Sequence, residues 1–128
     1  MSFLLDTHLL IWSALDDRRL SREAKNLICL PENKLWFSAA SLWEVAIKSG
    51  LNRPDFRIDY GALRAGLLAN DYSELAIEGR HVLMLRQLPD FHRDPFDRIL
   101  LAQAIAEGWV FVTSDRTLAD YGGMVRLV

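Results

Sequence analysis

A single cysteine, Cys29, among 128 residues leaves no internal disulfide to form. It sits in the apolar stretch KNLICL, where a small buried thiol is expected rather than a nucleophile, in keeping with a reducing compartment. Histidine is also scarce. His8, His81 and His92 lie too far apart for a recognisable zinc motif, and none is spaced for a nucleophilic triad, so no catalytic role is assigned to them. The apolar opening MSFLLDTHLLIW is broken by Asp6 and His8 too early for a membrane span, and it carries neither a basic leader nor a small-residue cleavage site. These features predict a cytoplasmic protein with no membrane segment. Excess positive charge is missing too: 15 Lys and Arg face 17 Asp and Glu, a net −2 that does not advertise nucleic-acid binding. That reading stays open only if cations engage several of the carboxylates and leave arginines to face phosphates.

What is present is ordinary globular material, 51% hydrophobic and 25% charged, in a length that fits one domain over 1–128. A chain of this size buries roughly two-thirds of its unfolded surface. No repeat, low-complexity tract or interdomain linker interrupts it.

FLL at 3–5 reads as a buried strand, followed by a helix carrying Leu9, Leu10, Trp12 and Leu15. A second helix begins near Ser21, with Leu20, Ala24, Leu27 and Ile28 as its apolar stripe, and Pro31 and Asn33 end the pattern. KLWFS at 34–38 is a strand, and AASLWEVAIKSG is a helix stopping at Gly50, with Pro54 closing that unit. Tyr60, Leu63 and Leu67 space as a helix weakened by Gly61 and Gly66, SELAI at 73–77 as a strand, and Val82, Leu85 and Leu88 as a helix before Pro89. PFDRILLAQAIAE is a strong helix from Pro95 to Glu107 ending at Gly108, WVFVT a fully apolar strand, and MVRLV a last short one. Strands alternating with helices predict an α/β sandwich around a mainly parallel sheet, with ligands gathering beyond the carboxyl ends of the strands.

Each notable carboxylate has a structural reading. Asp94 before Pro95 matches a helix N-cap, Asp97 favours the positive end of the helix dipole, and Ser41 with Glu44 forms a capping box if the helix begins at Ser41. Asp6 fits a cap, and Asp115 in SDRT fits the start of a turn. Their placement points further. Asp6 and Asp115 each follow an apolar strand at its carboxyl end, Glu44 lies a helical turn beyond a third, and Asp97 heads the stripe Leu100, Leu101 and Ala104, which should face the sheet. An acid directed there needs a partner or a cation. Four carboxylates about 4 Å apart would repel by about 4 kcal/mol per pair at an effective dielectric of 20. Divalent cations offset that, and oxygen ligands favour Mg²⁺ or Mn²⁺ over zinc. The chemistry such a centre suits is phosphodiester hydrolysis.

The segments LLDTH, SAASLWE, HRDPFDRILLAQA and VTSD, in this order and at this length, resemble the PIN domain family, specifically the VapC-type ribonuclease toxins of bacterial type II toxin–antitoxin pairs. The likeness runs over essentially the whole chain, and the DPFDR-x-L-x-AQA block is its most specific part. It implies a three-layer α/β/α domain whose quartet of acids binds Mg²⁺ or Mn²⁺ and cleaves RNA endonucleolytically. The family acids fall on Asp6, Glu44, Asp97 and Asp115, with Asp120 nearby as the alternative fourth. Asp94 becomes the cap that holds Asp97 in place. The resemblance also implies a homodimer and a cognate antitoxin.

Arg98, Arg116 and Lys48 flank these acids and are candidates to meet RNA phosphates, as is Arg93; Lys48 is equally placed to pair with Glu44 along the helix. Trp12, Trp36, Trp43 and Trp109 read as core or interface packing rather than base stacking. Two other classes stand beside the nuclease. One is a Mg²⁺-dependent phosphatase with Asp6 as nucleophile, although His8 stands where such enzymes usually carry a second aspartate. The other is a non-catalytic α/β binding module whose acids are caps.

Overall fold

The structure, a computed structural model, describes residues 1–51, 57–90 and 94–128; Pro54, His92 and Arg93 lie outside the described residues. In chain order the elements are β1 (Ser2–Leu5), α1 (Thr7–Ala14), α2 (Arg22–Cys29), β2 (Lys34–Ser38), α3 (Ala39–Ser49), α4 (Tyr60–Ala69), β3 (Ser73–Leu75), α5 (Gly79–Met84), α6 (Pro95–Glu107), β4 (Val110–Thr113) and β5 (Val125–Leu127). Two 3₁₀ turns, Leu85–Gln87 and Arg116–Tyr121, complete them.

The five strands form one all-parallel sheet in the order β3-β2-β1-β4-β5. The chain starts in the middle, steps outward through β2 and β3, then crosses back to β4 and β5. The order therefore reverses between β1 and β4, the place where parallel sheets open a crevice at their carboxyl ends.

Alternation along the strands divides the core in two. Phe3, Leu5, Leu35, Phe37 and Val112 pack with α1, α2 and α4 on one face. Leu4 and Phe111 pack with Leu100, Leu101 and Ala104 of α6 on the other. Strands buried on both faces explain the unbroken apolar run at 110–112. The expectation of an α/β fold with helices flanking a parallel sheet is met. Among the described residues no helix is long and apolar enough to cross a membrane.

Several local expectations change. Cys29 is exposed rather than buried, because the inward stripe of α2 runs through Ala24 and Leu27 and a residue two places on points away from it. Helix α3 starts at Ala39, capped by the Ser38 hydroxyl on the Ala40 N–H at 3.0 Å, so Ser41 and Glu44 form no capping box. Leu15, the C-cap of α1, is exposed. The segment 82–88 divides into α5 and a 3₁₀ turn, and the strand at 73–77 ends at Leu75. Gly108 closes α6 in the left-handed region at φ 71°, a conformation that suits glycine, and no added Cβ would meet a neighbour there.

Candidate active site

Asp6 is the first residue beyond β1, and its backbone N–H continues the ladder to Val112 O at 2.9 Å. Its carboxylate is held on both oxygens: Oδ1 accepts from the Thr7 N–H at 2.7 Å, which caps α1, and Oδ2 accepts from the Thr113 hydroxyl at 2.7 Å. The side chain is buried, and that desolvation raises its pKa above the usual carboxylate value. Thr113, His8 and the Thr7 N–H pull the other way, while the negative charge of Glu44 adds to the rise.

Glu44 is also buried, 2% exposed, one turn and a half into α3. Thr7 reaches it across 37 residues of sequence, its hydroxyl donating to Oε1 at 2.7 Å, and the Ser41 hydroxyl lies 2.9 Å from the same Thr7 oxygen. The other carboxylate oxygen pairs with the Lys48 ammonium one turn on. Lys48 thus takes the intrahelical role that its spacing allowed.

Asp115 stands just past β4, its N–H donating to Thr113 Oγ1 at 3.0 Å. Thr113 therefore serves two acids at once, donating to Asp6 and accepting from the backbone of Asp115. The Asp115 carboxylate caps the following 3₁₀ turn through the Thr117 N–H at 3.0 Å and the Thr117 hydroxyl at 2.8 Å. Asp120 lies exposed on that turn.

Asp97 occupies the third position of α6. Asp94 caps the helix, its Oδ1 accepting from the Phe96 N–H at 2.9 Å and the Asp97 N–H at 3.4 Å, with Pro95 first in the helix. Asp97 is half-buried above Leu100, Leu101 and Ala104, all three fully buried, as its spacing required. Arg98 donates to Pro89 O at 2.9 Å and lies 3.4 Å from the Tyr121 hydroxyl, while Arg116 is exposed.

Asp6 is thus connected to Glu44 through Thr7, whose N–H serves the first acid and whose hydroxyl the second, and to the backbone of Asp115 through the Thr113 hydroxyl, with Asp97 on the neighbouring helix start. Among the described residues, no three of these acids bring their oxygens within 4.8 Å of one another. The quartet is therefore wider than a cluster with 4 Å spacing. Thr7 stands between Asp6 and Glu44, and Lys48 pairs with the other Glu44 oxygen.

The group that does meet that spacing is Glu78, His81 and Glu107. His81 is fully buried, and its Nδ1 accepts the Glu78 N–H at 3.0 Å, so the neutral ring carries its proton on Nε2. Nε2 faces Glu107 at 3.8 Å and Glu78 at 4.0 Å as a donor rather than a lone pair. Arg80 bridges both glutamates. This arrangement locks α5 to α6 and is not set up to ligate a metal.

Three residues to which the sequence gave no site role shape the centre: Thr7, which reads there only as a candidate helix cap, Thr113 and Gln103. The fully buried Gln103 accepts from the Ser38 hydroxyl that caps α3 and donates to Ala76 O at 3.3 Å. Of the tryptophans, Trp36 and Trp109 stack at 4.3 Å and Trp12 lies under Arg19, as packing predicts; Trp43 is 59% exposed.

The family model described as PIN domain matches residues 3–124. No curated protein matches the sequence. Among solved structures, the VapBC2 complex of Rickettsia felis bound to a DNA fragment from its promoter contains a chain with a TM-score of 0.70 at 13% identity, over 100% of this chain and 98% of that one. A toxin–antitoxin complex from Klebsiella pneumoniae gives 0.64 at 19% identity, covering 96% and 94%. VapBC-1 from nontypeable Haemophilus influenzae gives 0.63 at 17%, covering 99% and 98%. At these identities the likeness is one of fold, and together with the family match over nearly the full length it establishes that the chain belongs to the PIN domain family.

Proposed function

We propose that this protein is a metal-dependent endoribonuclease, the toxin of a toxin–antitoxin pair, using Asp6, Glu44, Asp97 and Asp115. The observation that carries the reading is the burial of Asp6 and Glu44 beside each other, joined through Thr7 at the edge of the sheet where its strand order reverses. Burying a carboxylate is costly without a countercharge; Lys48 supplies one to Glu44, whereas Asp6, among the described residues, is held by hydrogen-bond donors with no cation at ion-pair distance, a demand that a bound cation would meet.

The donor set fits a hard cation. Asp6, Glu44, Asp97 and Asp115 offer carboxylate oxygens, and the polar groups bonded to Asp6 and Glu44 fix their orientation. Bound there, Mg²⁺ or Mn²⁺ supplies an activated water and charge stabilisation on a phosphodiester. The chain does the rest. Thr113 and the Thr7 N–H hold Asp6 in one rotamer, Thr7 holds Glu44, and the Asp94 cap sets Asp97 at the mouth of α6. Arg116, exposed beside Asp115, and Arg98, beside Asp97 and bonded to Pro89 O, are assigned to RNA phosphates, and Lys48 balances Glu44.

The three structural neighbours come from toxin–antitoxin complexes, and the alignment leaves almost none of either chain uncovered. On that basis we assign a cognate antitoxin as partner; a homodimer is assigned on the family resemblance of the sequence, and a cytoplasmic setting on its single cysteine and interrupted apolar opening. Growth of bacteria expressing the chain alone tests the reading. Arrest relieved by Asp6→Asn or Asp97→Asn at equal protein level supports it; variants as toxic as the parent contradict the site.

A further inference from the structure

Of the eight polar or charged side chains buried among the described residues, five lie in the acid centre: Asp6, Thr7, Ser41, Glu44 and Thr113. The other three, Ser38, His81 and Gln103, are fully buried and join one another through Gln103. Polar groups are costly to bury unless they are bonded, so this second set calls for a reason. The Gln103 amide has one orientation. Ala76 O, just past β3, is an acceptor and takes Nε2 at 3.3 Å, which turns Oε1 toward the Ser38 hydroxyl, donating at 2.5 Å. His81 enforces the same choice. Its Nδ1 accepts the Glu78 N–H at 3.0 Å and lies 3.3 Å from Gln103 Nε2, so a turned amide would set Oε1 against that lone pair.

The Ser38 oxygen in turn accepts the Ala40 N–H at 3.0 Å and starts α3. Ala40 shares a core cluster with Leu101 and Ala104, so this first turn rests against α6. One residue on, the Ser41 hydroxyl meets Thr7 Oγ1 at 2.9 Å; because the single Thr7 proton goes to Glu44 Oε1, Ser41 is the donor. The turn that Gln103 anchors is therefore the turn that braces Thr7 against Glu44.

We propose that Gln103 is a positioning residue of the nuclease: through Ser38 it fixes the first turn of α3 against α6, and with it the placement of Glu44 relative to Asp97. The proposal rests on the nuclease reading above and concerns a residue outside the acid set. A hydroxyl that donates to Gln103 is polarised and becomes a better acceptor for the Ala40 N–H. Without Oε1 the buried Ser38 proton has no acceptor, and its rotation toward another weakens the cap. Ser41 then loses its fixed place and Thr7 its second partner. Glu44 gains rotamers where a cation requires one.

The test compares wild type, Gln103→Met, Ser38→Ala and the double variant with Leu27→Ala, a core truncation on the opposite face of the sheet that reports lost stability alone. Hydrogen exchange of the full chain in EDTA, calorimetric titration with Mn²⁺, and kcat and KM for RNA cleavage are measured where each protein is folded. In Gln103→Met the Ala40 amide should exchange faster while those of Leu100 and Leu101 hold. Mn²⁺ affinity should fall roughly tenfold, and kcat should fall with KM for RNA nearly unchanged. Ser38→Ala should do the same, and the double variant should be no worse than either single one, because both break one path. Leu27→Ala should melt lower with Mn²⁺ affinity unchanged. A Gln103→Met protein that only melts lower, with wild-type Mn²⁺ affinity and kcat, overturns the positioning role and leaves the nuclease standing. Additive losses in the double variant overturn the path through Ser38. Should Gln103→Met not fold, Ser38→Ala decides by the same readouts. A wild type that neither binds Mn²⁺ nor cuts RNA removes the nuclease reading and this proposal with it.

Discussion

The Thr113 hydroxyl lies 2.7 Å from Asp6 Oδ2, joining the ends of two adjacent parallel strands across 107 residues of sequence. Both partners are buried, so the bond is both a structural tie at the switch point and the device that aims Asp6. Thr113→Val keeps the shape and removes the donor, leaving a buried carboxylate oxygen and the Asp115 N–H without their partner. The expected cost is about 1–3 kcal/mol by chemical denaturation, together with at least a roughly tenfold fall in RNA cleavage. Thr113→Ser should restore most of both. Full activity in Thr113→Val would show that Asp6 needs no such aiming.

Asp6 also predicts a pH dependence in metal-free protein. Its folded pKa is raised, so the stabilising form is the protonated one, present in full below the unfolded value and lost as pH rises through the folded value. Asp6→Asn removes that loss. In EDTA the variant should melt higher than wild type at about pH 8, and the gap should shrink toward about pH 4. Mn²⁺ should raise the melting temperature of wild type but not of the variant. A gap that widens on acidification contradicts the burial argument.

Lys48 supplies the countercharge of a carboxylate whose side chain is 3% exposed, while Lys48 itself is a quarter exposed and partly screened. Lys48→Met should therefore destabilise metal-free protein by roughly 1–3 kcal/mol, less than a fully buried pair would lose. Saturating Mn²⁺ should recover part of that, because the cation takes over the charge. An unchanged melting temperature without metal would mean that Glu44 is balanced by other groups.

Asp94 acts through α6. Asp94→Ala should cost about 1 kcal/mol as a lost cap and lower cleavage through the displaced Asp97, whereas Asp94→Ser should retain both. Measuring stability and cleavage on the same preparations separates capping from direct participation in the reaction.

The parts of this molecule that were legible in its sequence are those encoded locally. Helix α6 runs from Pro95 to Glu107 because its cap, its leading proline and its closing glycine all lie within one stretch, and β2 matches its expected bounds for similar reasons of composition. The same locality places Asp6 and Asp115 at strand ends. What could not be read is tertiary. Ser41 looked like half of a capping box, yet Ser38 caps α3 and Ser41 faces Thr7 of another element. Thr7 and Thr113 carry no local mark of their role, because their partners are 37 and 107 residues away. Cys29 matched an apolar neighbourhood in sequence while its own direction on α2 was outward. Trp43 read as core or interface packing, and its exposure leaves only the second, because helix periodicity alone does not say which side of α3 is covered.

Whether the acids make a metal-dependent ribonuclease is decided by incubating end-labelled total RNA with the purified, antitoxin-free chain in Mn²⁺ or Mg²⁺, beside EDTA and beside Asp97→Asn prepared identically. Discrete fragments should form with metal and vanish in both controls. Intact RNA with folded, metal-supplied protein, or fragments that persist in Asp97→Asn, would contradict the nuclease reading.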